Sequence, residues 1–174
     1  MRAAERDAEF VHFTRTHRTD LVRMATILTA GDPASAEDLV QTTLTRLYLA
    51  WPRVRRAESR LAYARTSLTH VFVDETRRAH RRREAVMADP SRAERPVPVG
   101  LDFGERDAVH AAVRDLAPRQ RAVVVLRHWL DLDVTETARI LGVSPGTVKS
   151  QNSKALVHLR RALTPYVTIT QEST

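Results

Sequence analysis

The sequence predicts an all-α protein: two small helical domains joined by a flexible linker, the C-terminal one a helix-turn-helix. Three observations predict it. Hydrophobic residues reach 43% while aromatics are 5% and Gly numbers 5, so Leu, Val, Ala and Ile must build the core. That mix favours helices over strands. A segment at 84–104, "EAVMADPSRAERPVPVGLDFG", holds three Pro and two Gly between two periodic halves. Pro removes backbone donors and disfavours helix in the residue before it, so this segment reads as a linker. Finally, "GVSPGTVKSQNSKALVHLR" at 142–160 ends one short helix and starts another almost at once.

The first half, residues 1–83, reads as three or four helices. Phe10, Leu21, Met24, Ala25 and Leu28 recur at helical spacing. "GDP" at 31–33 breaks that helix, with Asp32 suited to cap the next and Pro33 to its first position. Leu39, Val40, Leu44, Leu47, Tyr48 and Trp51 form the next apolar face, which Pro52 ends. A basic loop, "PRVRRAES", leads into a long helix from about Arg60 to Arg83. It carries Leu61, Ala64, Leu68, Val71 and Phe72 before turning to "RRAHRRR".

The second half, 105–166, packs four helices into about 60 residues. "ERDAVHAAVRDL" runs to Leu116, and the next helix starts at Pro118. Asp133 and Glu136 nearly form a capping box ahead of "VTETARIL". Gly142 suits a left-handed turn, Ser144 a cap and Pro145 a first helical turn. Val148, Ala155, Leu156 and Leu159 make one inward stripe of the last helix. Thr147, Lys149, Ser150, Gln151, Ser153 and Lys154 fall largely off it. A helix entering the major groove reads bases with its N-terminal residues and needs donors there rather than apolar bulk. The competing reading is an ordinary helical hairpin with a solvated face. Residues 167–174 are a short tail.

Charge points the same way. The chain carries a formal +7, and its pI near 10.8 implies an anionic partner, nucleic acid or a membrane surface. Residues 1–83 hold 16 Arg against 10 acids, whereas 84–104 hold two against four. There is no Cys, hence no disulfide or thiolate zinc site. No apolar run approaches the ~20 residues of a membrane span, so no membrane insertion is expected, and the N-terminus lacks a signal-peptide core. These features predict a cytoplasmic protein.

Taken in order, the motifs resemble extracytoplasmic-function sigma factors, the compact two-domain subfamily of the bacterial sigma-70 family. "AEDLVQTTLTRLYLAW" resembles the family's second conserved region. "RLAYARTSLTHVFVDETRRAHRRR" resembles its helix for the −10 promoter element. "LAPRQRAVVVLRHWLDLDVTETARILGVSPGTVKSQNSKALVHLR" resembles the region that binds the −35 element. The resemblance spans roughly residues 8–163.

The resemblance implies core RNA polymerase as partner, through the β′ clamp helices and the β flap, together with promoter DNA. It places Asp38, Leu39 and Gln41 at the polymerase contact. On its own, Asp38 beside Glu37 would only favour the helix dipole. Melted −10 bases need stacking surfaces and cation-lined grooves, for which Arg55, Arg56, Arg60, Tyr63, Arg65, His70 and Asp74 are candidates. Trp51 and Tyr63 also read as core. Arg77, Arg78, Arg81, Arg82 and Arg83 suit phosphate contacts, or else a solvated helix end that favours cations. At the −35 element the resemblance places Arg127, Lys149, Ser150, Ser153 and Lys154. The chain departs from the family at Gln151, where a basic residue is usual, at Ser153, where a bulkier one is, and at Asp131, where Gly is common. Residues choosing between base and phosphate contact are not separable from sequence.

No enzyme is expected. The His residues lack i, i+4 pairing, HExxH is absent, and no P-loop or GxGxxG occurs. Neither a metal nor a cofactor is called for. The alternative function is a stand-alone helix-turn-helix transcriptional regulator. The family is commonly held inactive by an anti-sigma factor, so a separate inhibitor is expected over Leu39 and the apolar surface of 119–130. Nothing in the chain itself reads as inhibitory.

Overall fold

The computed structural model describes residues 3–86 and 105–167, all helical between short turns. The first half contains α1 (Ala3–Leu28), α2 (Pro33–Leu49), a single turn α3 (Trp51–Val54) and α4 (Arg60–Val86). The second contains α5 (Glu105–Arg114), α6 (Pro118–Val124), α7 (Val134–Leu141) and α8 (Pro145–Val167). The linker expected at 84–104 lies outside the described residues beyond Val86, to which α4 continues.

Local chemistry sets the boundaries. The Asp32 carboxylate accepts from the Ala34 amide at 3.1 Å and Pro33 opens α2. Pro52 does more than end α2: the helix stops at Leu49, and Pro52 sits in the first turn of α3, where a missing N–H is harmless. Asp133 caps α7 by accepting from the Glu136 amide at 2.7 Å. The Glu136 side chain does not complete a capping box; it bonds Arg139 at 3.0 Å. After α6 the backbone widens into a π-type turn, Val125–Trp129, closed by the Leu130 amide on the Val125 carbonyl at 3.0 Å. Asp131 follows at φ 51, the left-handed conformation that the glycine usual at this position adopts freely and that Asp tolerates.

Aromatic residues concentrate where α1, α2 and α3 meet. Phe10 stands edge-on to Tyr48 and Trp51, both at 5.2 Å, and Phe13 lies 5.4 Å from Trp51. Trp51 is completely buried, with its indole N–H on Glu9 at 3.3 Å. Around it, Leu21, Met24, Leu28, Leu39, Leu47, Leu68 and Val71 fill the first half.

The halves share one apolar core. Ala122, Val123, Val125 and Leu126 of the second half join the same buried cluster as α1, α2 and α4. The apolar surface of 119–130, expected to await a separate inhibitor, is therefore largely covered by the chain itself. Among the described residues no helix is long and apolar enough to cross a membrane.

Candidate nucleic-acid interface

The turn between α7 and α8 is built as the sequence predicts. Gly142 takes φ 60 and ψ 44, and the Val143 amide reaches back to Ala138 at 3.1 Å. The Thr147 amide donates to Ser144 Oγ at 3.1 Å, satisfying one open donor of α8. Val148 and Ala155 are buried, anchoring α8.

Lys149, Ser150, Ser153 and Lys154 are exposed, as is Val157. At about 100° per residue, Lys149 and Lys154 stand about 140° apart, with Ser150, Ser153 and Val157 between them. The two lysines flank the outward face; the serines lie along its middle. Thr147 and Gln151 are half-buried at its inner margin, where Thr147 is engaged with Ser144. Arg127 is half-buried too, and its guanidinium donates to the Leu132 carbonyl, so it braces the loop after the π-type turn. It also lines a shallow hollow with Lys149, Asn152 and Arg160. Sequence reasoning missed Asn152, which meets His128 Nε2 at 2.9 Å and ties α8 to that turn.

A second face runs along α4. Arg60, Tyr63, His70, Asp74, Arg77 and Arg78 all fall within about 100° of one another around the helix axis. Arg55 and Arg56 are exposed at its entrance, and the Arg60 guanidinium lies 5.9 Å from the Trp51 ring centre. With Trp51 buried, half-buried Tyr63 supplies the aromatic surface on this face. Asp74 pairs with Arg46 at 3.4 Å. His70 is held below the ordinary histidine pKa by burial, with Arg139 and Arg46 adding to the effect and Asp74 opposing it.

Arg65 does not belong to this face. It projects from nearly the opposite side of α4 and binds Asp20 of α1 through two bonds, at 2.5 and 3.1 Å. Its work is to brace α4 on α1. Arg77 lies on the face, but its Nη2 donates to the Leu141 carbonyl at 2.8 Å. Arg81 and Arg82 are exposed beyond it; the Arg83 side chain lies outside the described residues.

Of the three expected polymerase contacts, Asp38 and Gln41 are exposed on α2 and Leu39 is not. Leu39 is fully buried, so it supports that face from beneath and cannot present itself to a partner in this arrangement. Gln41 Nε2 donates to Glu37 at 2.9 Å, and Glu37 also takes Arg18 at 2.6 Å. Those bonds from Gln41 and then Arg18 lower the Glu37 pKa. Glu75 of α4 is raised instead, first by burial, with Asp38 and Asp74 adding to it. Among the described residues no cluster of three or more His, Asp or Glu could hold a metal ion.

Comparison with known proteins adds the following. Residues 13–82 match the family model "Sigma-70 region 2", and residues 106–159 match "Sigma-70, region 4". The chain is 40% identical to the RNA polymerase sigma-E factor of Streptomyces coelicolor over 159 residues, covering 89% of this chain and 86% of that one. It is 33% identical to the ECF RNA polymerase sigma factor SigL of Mycobacterium tuberculosis, covering 84% of each. A crystal structure of the sigma factor RpoE in complex with the anti-sigma factor NepR from Bartonella quintana is similar at a TM-score of 0.65 and 25% identity. That match covers 90% of this chain and 97% of the other.

Proposed function

This chain belongs to the sigma-70 family of RNA polymerase sigma factors, in its extracytoplasmic-function branch, and from that premise we propose how its surfaces divide the work of promoter recognition. As a sigma factor it binds core RNA polymerase and promoter DNA to start transcription. The outward face of α8 enters the major groove of the −35 element. Ser150 and Ser153, central on that face, meet base edges, while Lys149 and Lys154 meet phosphates on the two groove walls. Arg127 and Asn152 hold α8 and the π-type turn in register rather than reading sequence.

The α4 face takes the −10 element as a single strand. Arg55, Arg56 and Arg60 form a cationic entrance, Tyr63 offers a stacking surface, and Arg77 and Arg78 follow the backbone. Asp38 and Gln41 meet the polymerase clamp; Asp38 supplies a carboxylate for a basic partner. The protein acts by binding, without a catalytic step, cofactor or metal, and works in the cytoplasm where polymerase and promoter meet. An anti-sigma partner is proposed by analogy with the RpoE complex. The single observation that carries the DNA assignment is the exposed polar face on the first turns of α8, set by the Gly142 turn and Ser144 cap.

Reconstitution tests this reading. The chain added to purified core polymerase should direct transcripts from a subset of genomic promoters sharing −35 and −10 elements. A chain that binds DNA as a dimer and leaves core polymerase inactive would instead be a stand-alone regulator.

A further inference from the structure

The Gln41 side chain is held in one orientation on α2. Its Nε2 donates to Glu37 Oε1 at 2.9 Å, one turn back along the helix. Glu37 in turn takes Nη2 of Arg18, from α1, on both carboxylate oxygens at 2.6 and 2.8 Å. The chain of bonds therefore runs from α1 through Glu37 to the outward face of α2. Gln41 and then Arg18 hold the Glu37 carboxyl below its ordinary pKa, so it is ionised at neutral pH. An ionised carboxylate only accepts, so the nitrogen of the Gln41 amide must face it and the oxygen must face away.

Asp38 is exposed three residues before Gln41, and residues three apart are neighbours on a helix surface. With the amide nitrogen turned to Glu37, this face offers two acceptors, the Asp38 carboxylate and Gln41 Oε1. Two acceptors side by side suit a guanidinium, whose N–H donors form a fork. Without Glu37 the same amide nitrogen could donate to Asp38, because Gln and Asp side chains bond at this spacing. Such a bond would consume an acceptor needed by the partner. Stability is not what the ion pair supplies. The Arg18 and Glu37 side chains are 46% and 43% exposed, and exposed ion pairs contribute little to folding.

We propose that Arg18 and Glu37 are positioning residues for polymerase binding: they fix the Gln41 amide with its oxygen outward, so that Gln41 and Asp38 together receive a guanidinium of the core enzyme. The proposal rests on the assignment of Asp38 and Gln41 to core polymerase made above.

Competition binding of the full chain to core polymerase tests it. Gln41→Ala should weaken binding about tenfold, as expected for a hydrogen bond to a charged group. Arg18→Ala and Glu37→Ala should each weaken it about threefold, because a freed glutamine must be ordered again on binding. All three should keep their helical circular dichroism and melting temperature. Charge alone acts in the other direction at Arg18: losing a cation strengthens attraction to a basic partner, so unchanged or tighter binding by Arg18→Ala overturns the proposal. In a Gln41→Ala background neither Arg18→Ala nor Glu37→Ala should weaken binding further, and additive losses would also overturn it. The exchanged pair, Arg18→Glu with Glu37→Arg, restores the tie between α1 and α2 but puts a donor where Gln41 needs an acceptor. Its affinity should stay low; full recovery would reduce the two residues to a tie between helices and overturn their positioning role. Undiminished binding by Gln41→Ala removes Gln41 from the contact, and the polymerase assignment falls with the proposal. A loss in Gln41→Ala alone leaves that assignment standing and overturns only the positioning.

Discussion

If Lys149 and Lys154 straddle the groove, their loss should change how −35 binding depends on salt and leave sequence preference intact. The geometry makes this specific. An α-helix with its side chains is about 10–12 Å across and the major groove about 12 Å wide. Side chains about 70° to either side of the face centre therefore meet the groove walls, where the phosphates lie, and Ser150 and Ser153 meet its floor. Each phosphate contact contributes about 0.9 to the slope of log K against log salt. Lys149→Ala should reduce the slope by about that amount, and the double variant by about 1.8. At 0.15 M salt one such contact is worth about a factor of five in affinity, and two about 30. Both side chains are exposed, so folding should be unaffected. The assay is holoenzyme binding to a labelled promoter across a salt series, repeated with each −35 base pair substituted. A variant that keeps the full slope yet loses discrimination at one base pair, by about 1–3 kcal/mol, would show that the lysine reads a base and that the wheel argument is wrong.

Three further outcomes are expected. Asp38→Arg should weaken holoenzyme assembly with the melting temperature unchanged, because Asp38 is exposed; undiminished affinity in competition binding would remove it from the interface. Trp51→Ala should destabilise the chain by about 3–5 kcal/mol, measured by denaturant unfolding, since it empties the centre of the Phe10–Phe13–Trp51 cluster. His70, whose folded pKa lies below its ordinary 6.5, favours the folded chain when neutral. Its contribution is therefore present above about pH 6.5 and lost as pH falls below that value, because the unfolded chain takes up the proton first. Asp74, Arg46 and Arg139 face it, and His70→Asn should flatten the thermal-stability profile between pH 7 and 5.

Much of this architecture is legible in the residues. Caps at Asp32, Asp133 and Ser144 and the left-handed Gly142 are local chemistry, decided within four residues. The α4 face is also readable: spacings of seven, four and three connect Tyr63, His70, Asp74 and Arg77, and the same wheel excludes Arg65. Leu39 is buried rather than partner-facing because a partner-facing position and a core position can be neighbours on one helix, and only the seating of α2 on α1 and α4 distinguishes them. Arg121 offers no sequence signal at all. Within "PRQRAVVVLRHWL" it reads as one more surface cation, yet it is buried and donates to the Leu28 carbonyl that ends α1, at 2.6 Å, and to the carbonyls of Arg114 and Leu116. Beside the shared apolar core, the seating of the halves uses such carbonyls, which every residue possesses and no residue type advertises.

The shared core has one more consequence, for how long the free protein survives. Separating the halves would uncover Ala122 and Val123, which line one cleft with Phe72 and Val73 of α4. Proteases that cut opened chains follow the population of the open form when reclosing is fast. A variant that loosens this seam, such as Phe72→Ala, should therefore be degraded faster as the free protein.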